Sequence, residues 1–384
     1  MQIMFDRIIQ PPTQSFFLMG PRGSGKSTWL QNRFPDAYSI DLLSEEIYQR
    51  LLASPGYLAD QLRAVPSDQW VIIDEIQRLP NLLNEVHRFI ENKRLKFALC
   101  GSSARKLKKE GINMLAGRAL QRAMHPFVPE ELGDHFNLEE ALQFGSLPMV
   151  FESPEKKETL SAYTQLYLKE EIQAEALVRN LPGFARFLPI AALCHGQTVN
   201  VSNIARESEV ARTTITGYLD ILVDTLLCFR LPAYEAKLRL RERKHPKWYW
   251  CDPGIVRAMK KTTGVLAPEE RGTLFDGMVA ELLRAYKDYR SSFDEMYYWA
   301  PSSGTKTEVD FLILKDDQFI AIEAKSGKNF SHSWCKGLRA IMELKGVQRR
   351  IIVYPNGPVM RTDDDIEVLP FQVFAEQLSK GLFN

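Results

Sequence analysis

Residues 20–28, GPRGSGKST, combine the residue types that can hold the phosphates of a nucleotide. The glycines allow backbone N–H groups to turn inward around an anion. Lys26 can reach the terminal phosphates, and the hydroxyl of Ser27 can bind Mg²⁺. The residues that we expect to contact the nucleotide are Gly20, Gly23, Gly25, Lys26, Ser27 and Thr28.

The sequence on either side of this loop supports the same interpretation. The apolar run Phe16–Met19 predicts a short buried strand before the loop, and residues 28–31 predict a helix after it. Strand, loop and helix in this order are the context that a phosphate-binding loop needs, because the helix N-terminus adds positive potential at the anion.

A second motif, WVIIDE at residues 70–75, predicts an apolar strand that ends in two carboxylates. Asp74 can hold the Mg²⁺ shell, and Glu75 can orient or deprotonate the water that attacks the γ-phosphate. Together, the two motifs predict hydrolysis of ATP with Mg²⁺ as the accompanying ion.

Two further positions have both a catalytic and a structural interpretation. Ser102 follows the predicted strand KFALC and could bond the γ-phosphate, but Ser102 or Ser103 could equally cap a helix that begins at Ala104. Arg118 precedes the predicted strand 119–124 and could act on a neighbouring subunit's nucleotide as an arginine finger. It could also be an ordinary surface charge. The finger interpretation implies a homo-oligomer, for which a hexamer is one candidate.

The middle of the chain predicts a helix–turn–helix followed by an extended wing. Residues 201–210 and 213–229 have apolar positions at helical spacing, with a tight turn at 209–212. The second helix would present Arg212, Thr213 and Thr214 to the bases or phosphates of DNA. Contact with a protein is the alternative, since winged helices often have that role.

A basic segment follows at residues 237–247, where six Lys or Arg residues accompany one Glu. Arg239, Arg241 and Arg243 alternate, so they would share one face of a strand. Such a stripe can bind the phosphates of DNA. The alternative is a solvated basic linker.

Acidic residues and a lysine recur in the predicted strands of the C-terminal third. Glu323 and Lys325 lie two residues apart and therefore on one face of a strand, and Asp310 lies on the neighbouring strand. Such a set could bind Mg²⁺ or Mn²⁺ and activate a water, because oxygen ligands without histidine favour these ions. The alternative is a β-meander with charges that face solvent.

The bulk composition is that of a globular protein with more than one domain. The 384 residues carry a net charge of +1, so any attraction to DNA must be local rather than global. No apolar run approaches the length of a transmembrane span, and five scattered cysteines fit a reducing compartment. We therefore expect a cytoplasmic protein without a membrane partner.

The N-terminal motifs, in their order along the chain, resemble those of the AAA+ ATPases. Over nearly its full length the chain is similar to a prokaryotic family of AAA-type ATPases, in which the nucleotide domain is fused to a C-terminal domain of unassigned function. The matching segments are GPRGSGKST, VIIDEIQRLP, CGSSARKL, LAGRA with HPF, KWYWCDPG, EVDFLI and IEAKSG. The resemblance implies that ATP and Mg²⁺ bind at the N-terminal motifs.

The C-terminal residues resemble the PD-(D/E)xK nuclease superfamily and, within it, the archaeal Holliday-junction resolvases. This resemblance implies that Glu281 is the acid on the first helix and that Asp310 and Glu323 are metal ligands. It implies that Lys325 contacts the water or the transition state. The usual Pro before the first Asp is absent, and Glu308-Val309 stands in its place.

The predicted fold is α/β and has four parts. An AAA+ core spans 1–130, a helical lid 131–185, a winged helix 186–248 and a nuclease-like domain 249–384. The predicted function is ATP-dependent binding and remodelling of DNA, including branched DNA such as Holliday junctions, with Mg²⁺-dependent cutting left open. The alternative is a signalling ATPase of the switch type, whose C-terminal region binds a protein and whose nuclease fold is inactive.

Overall fold

The computed structural model describes residues 5–103, 105, 107, 117–167, 172, 178, 180–234, 245–301 and 307–382. A parallel sheet forms the core of the N-terminal part, and a mixed sheet lies in the C-terminal part. This confirms the α/β class that the sequence predicts.

The N-terminal sheet has the strand order β2-β3-β4-β1-β5, and all its strands run parallel. The strands are β1 (Phe16–Met19), β2 (Tyr38–Asp41), β3 (Trp70–Asp74), β4 (Lys96–Gly101) and β5 (Leu120–Ala123). Apolar side chains cover both faces of the sheet, as expected for buried parallel strands. The helices of this part are α1 (Lys26–Arg33), α2 (Glu45–Ala53), α3 (Gly56–Ala64) and α4 (Leu83–Lys93).

A helical region follows the last strand of this sheet. Its helices are α5 (Pro129–Leu132), α6 (Leu138–Phe144), α7 (Pro148–Phe151), α8 (Lys156–Leu166) and α9 (Leu181–Leu193). Asn137 and Asn180 begin α6 and α9 by accepting a hydrogen bond from the backbone N–H three residues on, as preferred N-cap residues do.

A small antiparallel sheet with two helices comes next. Its strands are β6 (Gln197–Thr198), β7 (Cys228–Leu231) and β8 (Lys247–Trp250), in the order β6-β8-β7. Between β6 and β7 lie α10 (Val201–Ser208) and α11 (Arg212–Asp224), joined through Glu209 in the left-handed conformation at φ 54°. The domain boundary predicted at residue 248 falls inside β8.

The C-terminal sheet has the order β13-β14-β12-β11-β10-β9. Its strands are β9 (Glu295–Trp299), β10 (Val309–Lys315), β11 (Gln318–Ala324), β12 (Val347–Tyr354), β13 (Met360–Arg361) and β14 (Glu367–Pro370). The neighbouring helices are α12 (Pro253–Met259), α13 (Pro268–Arg290), α14 (Lys336–Ala340) and α15 (Phe371–Lys380).

One hydrophobic core connects the described helical region, the small sheet and one face of the C-terminal sheet. It runs from Val128 to Leu382. The three parts predicted after residue 130 therefore share a core. Among the described residues, none of the helices combines the length and apolar character that crossing a bilayer requires.

Candidate functional site

The loop between β1 and α1 has the backbone conformation that its glycines permit. Gly23 and Gly25 adopt φ values of 78° and 85°, which a residue with a side chain rarely takes. Gly25 directly precedes α1, so the loop amides and the helix N-terminus face the same space. The structure thus brings the predicted phosphate-binding residues together at one edge of the sheet.

Lys26 and Ser24 show how this loop suits an anion. The buried Lys26 Nζ donates to the carbonyl oxygens of Gly20, at 2.9 Å, and Pro21, at 3.1 Å. Ser24 Oγ is buried and has no hydrogen-bond partner in the described part of the chain. A phosphate oxygen would satisfy this hydroxyl and attract the ammonium, so the loop fits the phosphates of a nucleotide. Ser27 is half-buried beside Lys26.

A pocket of about 570 Å³ opens beside the loop. Its walls include Phe5, Arg7, Gly25, Trp29, Phe127 and Met149. Apolar and aromatic walls next to a phosphate site are suited to a nucleobase. The predicted lid contacts this region, since Met149 N donates to Gly23 O at 3.2 Å and Tyr163 OH donates to Arg22 O at 3.3 Å.

Asp74 and Glu75 lie at the same edge of the sheet, at the end of β3. Burial raises the pKa of the Cys100 thiol, which donates to Asp74 Oδ1 across 2.8 Å. Glu75 has φ 57°, a conformation that costs about 1–3 kcal/mol and is concentrated at functional sites.

The Glu75 carboxylate contacts two polar side chains. Ser102 Oγ donates to Glu75 Oε2 at 3.3 Å, and Gln77 Nε2 donates to the same oxygen and to Ser102 Oγ. Ser103, by contrast, accepts a hydrogen bond from the backbone N–H of Arg105. Ser103 therefore contacts the backbone that follows it, while Ser102 lies with Glu75.

Arg118 lies away from the loop of its own chain. It precedes β5, whose first residue pairs with Phe16 at the amino end of β1, whereas the loop follows the carboxyl end of β1. Its guanidinium forms an ion pair with Glu91, and both side chains are exposed. Within one chain, the structure does not bring Arg118 to Lys26 or Glu75.

Arg7, whose side chain is buried, is a residue of the site that the sequence did not reveal. Its guanidinium donates to Ser24 O at 2.9 Å and to His125 O at 2.6 Å. It also donates to the Glu131 carboxylate and to the Tyr289 hydroxyl, each at 2.9 Å. Because these partners are distant in sequence, no local pattern could have predicted that Arg7 ties the loop to helix α13.

Glu281 does not lie where the predicted metal site requires. Its carboxylate is 2.6 Å from His125 Nδ1, and Asp288 Oδ2 is 2.7 Å from His125 Nε2. Burial lowers the pKa of His125, but the Glu281 charge and the hydrogen bonds to both carboxylates outweigh it, so the net pKa is raised. In the structure Glu281 contacts His125 rather than the predicted metal ligands, because this face of α13 packs on the end of β5.

A second contact links the N-terminal sheet to helix α11. Arg105, just after Ser103, donates from NH1 to Asp224 Oδ2 at 2.9 Å, and both side chains are mostly buried. Asp224 is the last residue of α11. At the other end of this helix, Arg212 and Thr213 are exposed and Thr214 is half-buried. Arg239, Arg241 and Arg243 lie outside the described residues.

The C-terminal sheet brings Asp310, Glu323 and Lys325 together, as the sequence predicts. Lys325 Nζ is 2.5 Å from Glu323 Oε1 and 3.7 Å from Asp310 Oδ2. Asp310 Oδ2 accepts from Ala324 N at 3.2 Å, and Glu323 Oε2 accepts from Asp310 N at 3.3 Å. Burial and the nearby Asp310 charge raise the pKa of Glu323.

Asp276 and Lys247 complete this set, and the sequence did not single out either one for it. Burial and the Asp310 charge raise the pKa of Asp276, whose Oδ2 accepts from Tyr249 OH at 2.9 Å. Lys247 Nζ lies 3.1 Å from both Asp310 Oδ1 and Glu308 Oε1. Lys247 belongs to the predicted DNA-binding stripe, yet it is buried here. We call Asp276, Glu308, Asp310 and Glu323 the acidic cluster.

The acidic cluster, as arranged, does not fit Mg²⁺. That ion needs near-octahedral oxygen ligands at about 2.0–2.1 Å. All four carboxylate oxygens of Asp310 and Glu323 already face N–H groups or ammonium groups. No group of three His, Cys, Asp or Glu side chains within the described ranges is arranged to hold a metal ion.

Three family models match successive parts of the chain. Residues 12–133 match an AAA domain, residues 135–265 match a domain of unknown function, DUF8612, and residues 271–374 match another, DUF4143. The first match covers the loop and both acidic residues of the N-terminal sheet. The N-terminal part is therefore a P-loop ATPase domain of the AAA type.

Similar proteins cover most of the chain. Uncharacterised proteins of Mycobacterium tuberculosis and Mycobacterium bovis are each 24% identical over 362 residues, which span 92% of this chain and 79% of the relative. An uncharacterised protein of Haemophilus influenzae is 23% identical over 337 residues, or 80% of this chain and 81% of the relative.

Two solved structures show a distant likeness. The Aeropyrum pernix ORC1 protein in complex with DNA is 12% identical and has a TM-score of 0.29, covering 66% of this chain and 87% of that one. A signal transduction ATPase with numerous domains from Pyrococcus horikoshii is 14% identical and has a TM-score of 0.24. The match covers 71% of this chain and 45% of that one. Likeness at this level carries no argument about function.

Proposed function

We propose that this protein binds and hydrolyses ATP and uses the nucleotide state to change how its C-terminal region holds DNA. The observation that carries the proposal is the pair of contacts from the ATP site to the rest of the chain. Arg105 lies two residues after Ser103 and holds Asp224 of α11, and His125 follows β5 and holds Glu281 of α13.

The chemistry of the first step follows from the residues at the carboxyl ends of the strands in the N-terminal sheet. The loop amides and Lys26 hold the phosphates, and Ser27 and Asp74 would hold Mg²⁺, which neutralises charge on the phosphates. Glu75 orients the attacking water, and Ser102 fixes the Glu75 carboxylate through their hydrogen bond. Arg118 acts on the nucleotide of a neighbouring subunit, since it lies far from its own.

DNA as the partner is supported by the form of the small sheet and its helices. Helix α9, strand β6, helices α10 and α11, and the β7–β8 pair follow the order of a winged helix. The exposed N-terminus of α11 presents Arg212 and Thr213, where such proteins contact the major groove.

The order of helices and strands in the C-terminal region supports a nuclease-like fold. Helix α13, strands β9, β10 and β11, helix α14 and strand β12 form the order helix, three antiparallel strands, helix, parallel strand. Since the acidic cluster does not fit Mg²⁺, we assign this region to gripping DNA, such as branched DNA, and derive no cutting step.

A switch that acts on a protein partner is the competing function. The net charge of +1 and the burial of Lys247 both weaken the case for a DNA-binding stripe. ATP turnover measured with and without duplex and four-way-junction DNA separates the two. DNA-stimulated hydrolysis that Lys26→Ala abolishes would support our proposal, whereas hydrolysis indifferent to every DNA would favour the switch.

A further inference from the structure

The acidic cluster contains a cation that the chain itself supplies. Lys247 is buried, with only 4% of its side chain exposed, and its ammonium lies 3.1 Å from Asp310 Oδ1 and from Glu308 Oε1. Its ring contact with Tyr298, at 5.6 Å, places an aromatic face beside the same charge. The Lys247 ammonium therefore lies against Asp310, one of the carboxylates predicted to bind a metal ion.

The strand that carries Lys247 comes from a different sheet. Lys247 begins β8 of the small sheet, where it pairs with Thr198 and Leu231, whereas Asp310 is in β10 of the C-terminal sheet. The ion pair thus joins the two sheets. Because a buried carboxylate oxygen without a partner is costly, removal of Lys247 would leave Asp310 Oδ1 without the ammonium that it accepts from.

Lys325 supplies the second positive charge of the set. It contacts Glu323 directly and lies within 3.7 Å of Asp310. The two ammonium groups leave Asp276 Oδ1 as the one buried carboxylate oxygen of the cluster without a hydrogen bond among the described residues. A single free oxygen does not make a site for a divalent cation, which needs several oxygen ligands.

We propose that Lys247 is the resident cation of the acidic cluster, that it excludes Mg²⁺ and Mn²⁺, and that it clamps the small sheet to the C-terminal sheet. The cluster is then a structural ion-pair site and not a metal centre. This inference rests on the cluster alone and holds whether or not the protein binds DNA or ATP.

The test is Mn²⁺ binding to the full-length, nucleotide-free protein, followed by electron paramagnetic resonance. Wild type should show no saturable site that depends on Asp310. Lys247→Met, which keeps the length of the side chain and removes its charge, should gain one saturable Mn²⁺ per chain. The double variant Lys247→Met/Asp310→Asn should lose that site again. Lys336→Met removes an exposed lysine from the same region and should behave as wild type.

Two outcomes would overturn the proposal. One is saturable Mn²⁺ binding by wild type that Asp310→Asn removes, and the other is the failure of a folded Lys247→Met to bind Mn²⁺. If Lys247→Met does not fold, thermal unfolding of wild type in Mn²⁺ and in EDTA decides. Equal melting temperatures support Lys247 as the cation, and a Mn²⁺-dependent rise that Asp310→Asn abolishes contradicts it.

Discussion

The Nδ1 atom of His125 lies 2.6 Å from the Glu281 carboxylate, and the other ring nitrogen lies 2.7 Å from Asp288. An ionised carboxylate only accepts hydrogen bonds, so this arrangement favours the charged imidazole, in which both ring nitrogens donate, and the pKa of His125 is raised. The contact continues to the phosphate loop, because Met124, directly before His125, donates its backbone N–H to Met19 O at 2.7 Å, and Met19 directly precedes Gly20. The ATP site and helix α13 are therefore in continuous contact.

Replacement of Glu281 by Gln should weaken this contact without any effect on metal binding. The loss of charge on the acceptor should lower the free energy of unfolding by about 1 kcal/mol. Urea unfolding of wild type and Glu281→Gln, in Mg²⁺ and in EDTA, measures this difference in the free energy of unfolding. Glu269→Gln, at an exposed position of the same helix, is the matched control. A loss seen only with Mg²⁺ present would restore Glu281 as a metal ligand.

The stabilisation from His125 should depend on pH. Its pKa is raised above the ordinary value of 6.5, so its contribution is fully present below about pH 6.5 and is lost as the pH rises through the raised pKa. The pKa of Asp288 is lowered from 3.8, so its contribution is lost only as the pH falls through that lowered value.

Unfolding of wild type and His125→Asn across this range measures the effect. Their difference in stability should be largest between about pH 4 and 6.5 and should shrink in more alkaline solution. His87→Asn, at an exposed position on α4, should show no such profile. A difference that stays constant, or that grows with rising pH, would mean that His125 is not charged in the folded protein.

Glu75→Gln should separate nucleotide binding from turnover. The amide cannot take a proton from water, so hydrolysis should fall by about 10²–10⁴-fold while ATP still binds. Equilibrium binding of a fluorescent ATP analogue and phosphate release measure the two steps. Lys26→Ala should instead lose binding. Parental turnover by Glu75→Gln would remove Glu75 from the catalytic role.

Arg118→Ala should lower activity through the neighbouring subunit. If each finger serves the next site, mixtures of Arg118→Ala with wild type should hydrolyse ATP at rates that differ from the weighted average of the two proteins. Glu91→Gln breaks the ion pair but keeps the arginine, so it is the control for a purely local role. Strictly averaged rates would show that Arg118 has no role in trans.

The local motifs could be predicted from sequence because their residues are neighbours in the chain. The phosphate loop, Asp74 and Glu75 needed only a strand, a turn and a helix in the right order. Asp310, Glu323 and Lys325 came together because adjacent strands of a meander pair in register.

The residues that were missed depend on contacts between distant segments. Asp276 and Glu281 lie on one helix, about 140° apart around its axis, and only the packed structure decides which of them faces the C-terminal sheet. Lys247 looked like part of a basic surface stripe, yet its strand inserts it beside Asp310. Arg7 has no motif at all, and its importance follows from four partners scattered along the chain.

The most direct test of ATP-coupled DNA binding is the fluorescence anisotropy of labelled duplex and four-way-junction DNA with Glu75→Gln, with and without ATP, over a salt series. We expect saturable binding whose affinity changes with ATP. Arg212→Ala should weaken DNA binding and reduce the slope of log affinity against log salt concentration by about one unit. Lys157→Ala, at an exposed position on α8, should change neither. Absence of DNA binding at every salt concentration, by a protein that still binds ATP, would contradict the account.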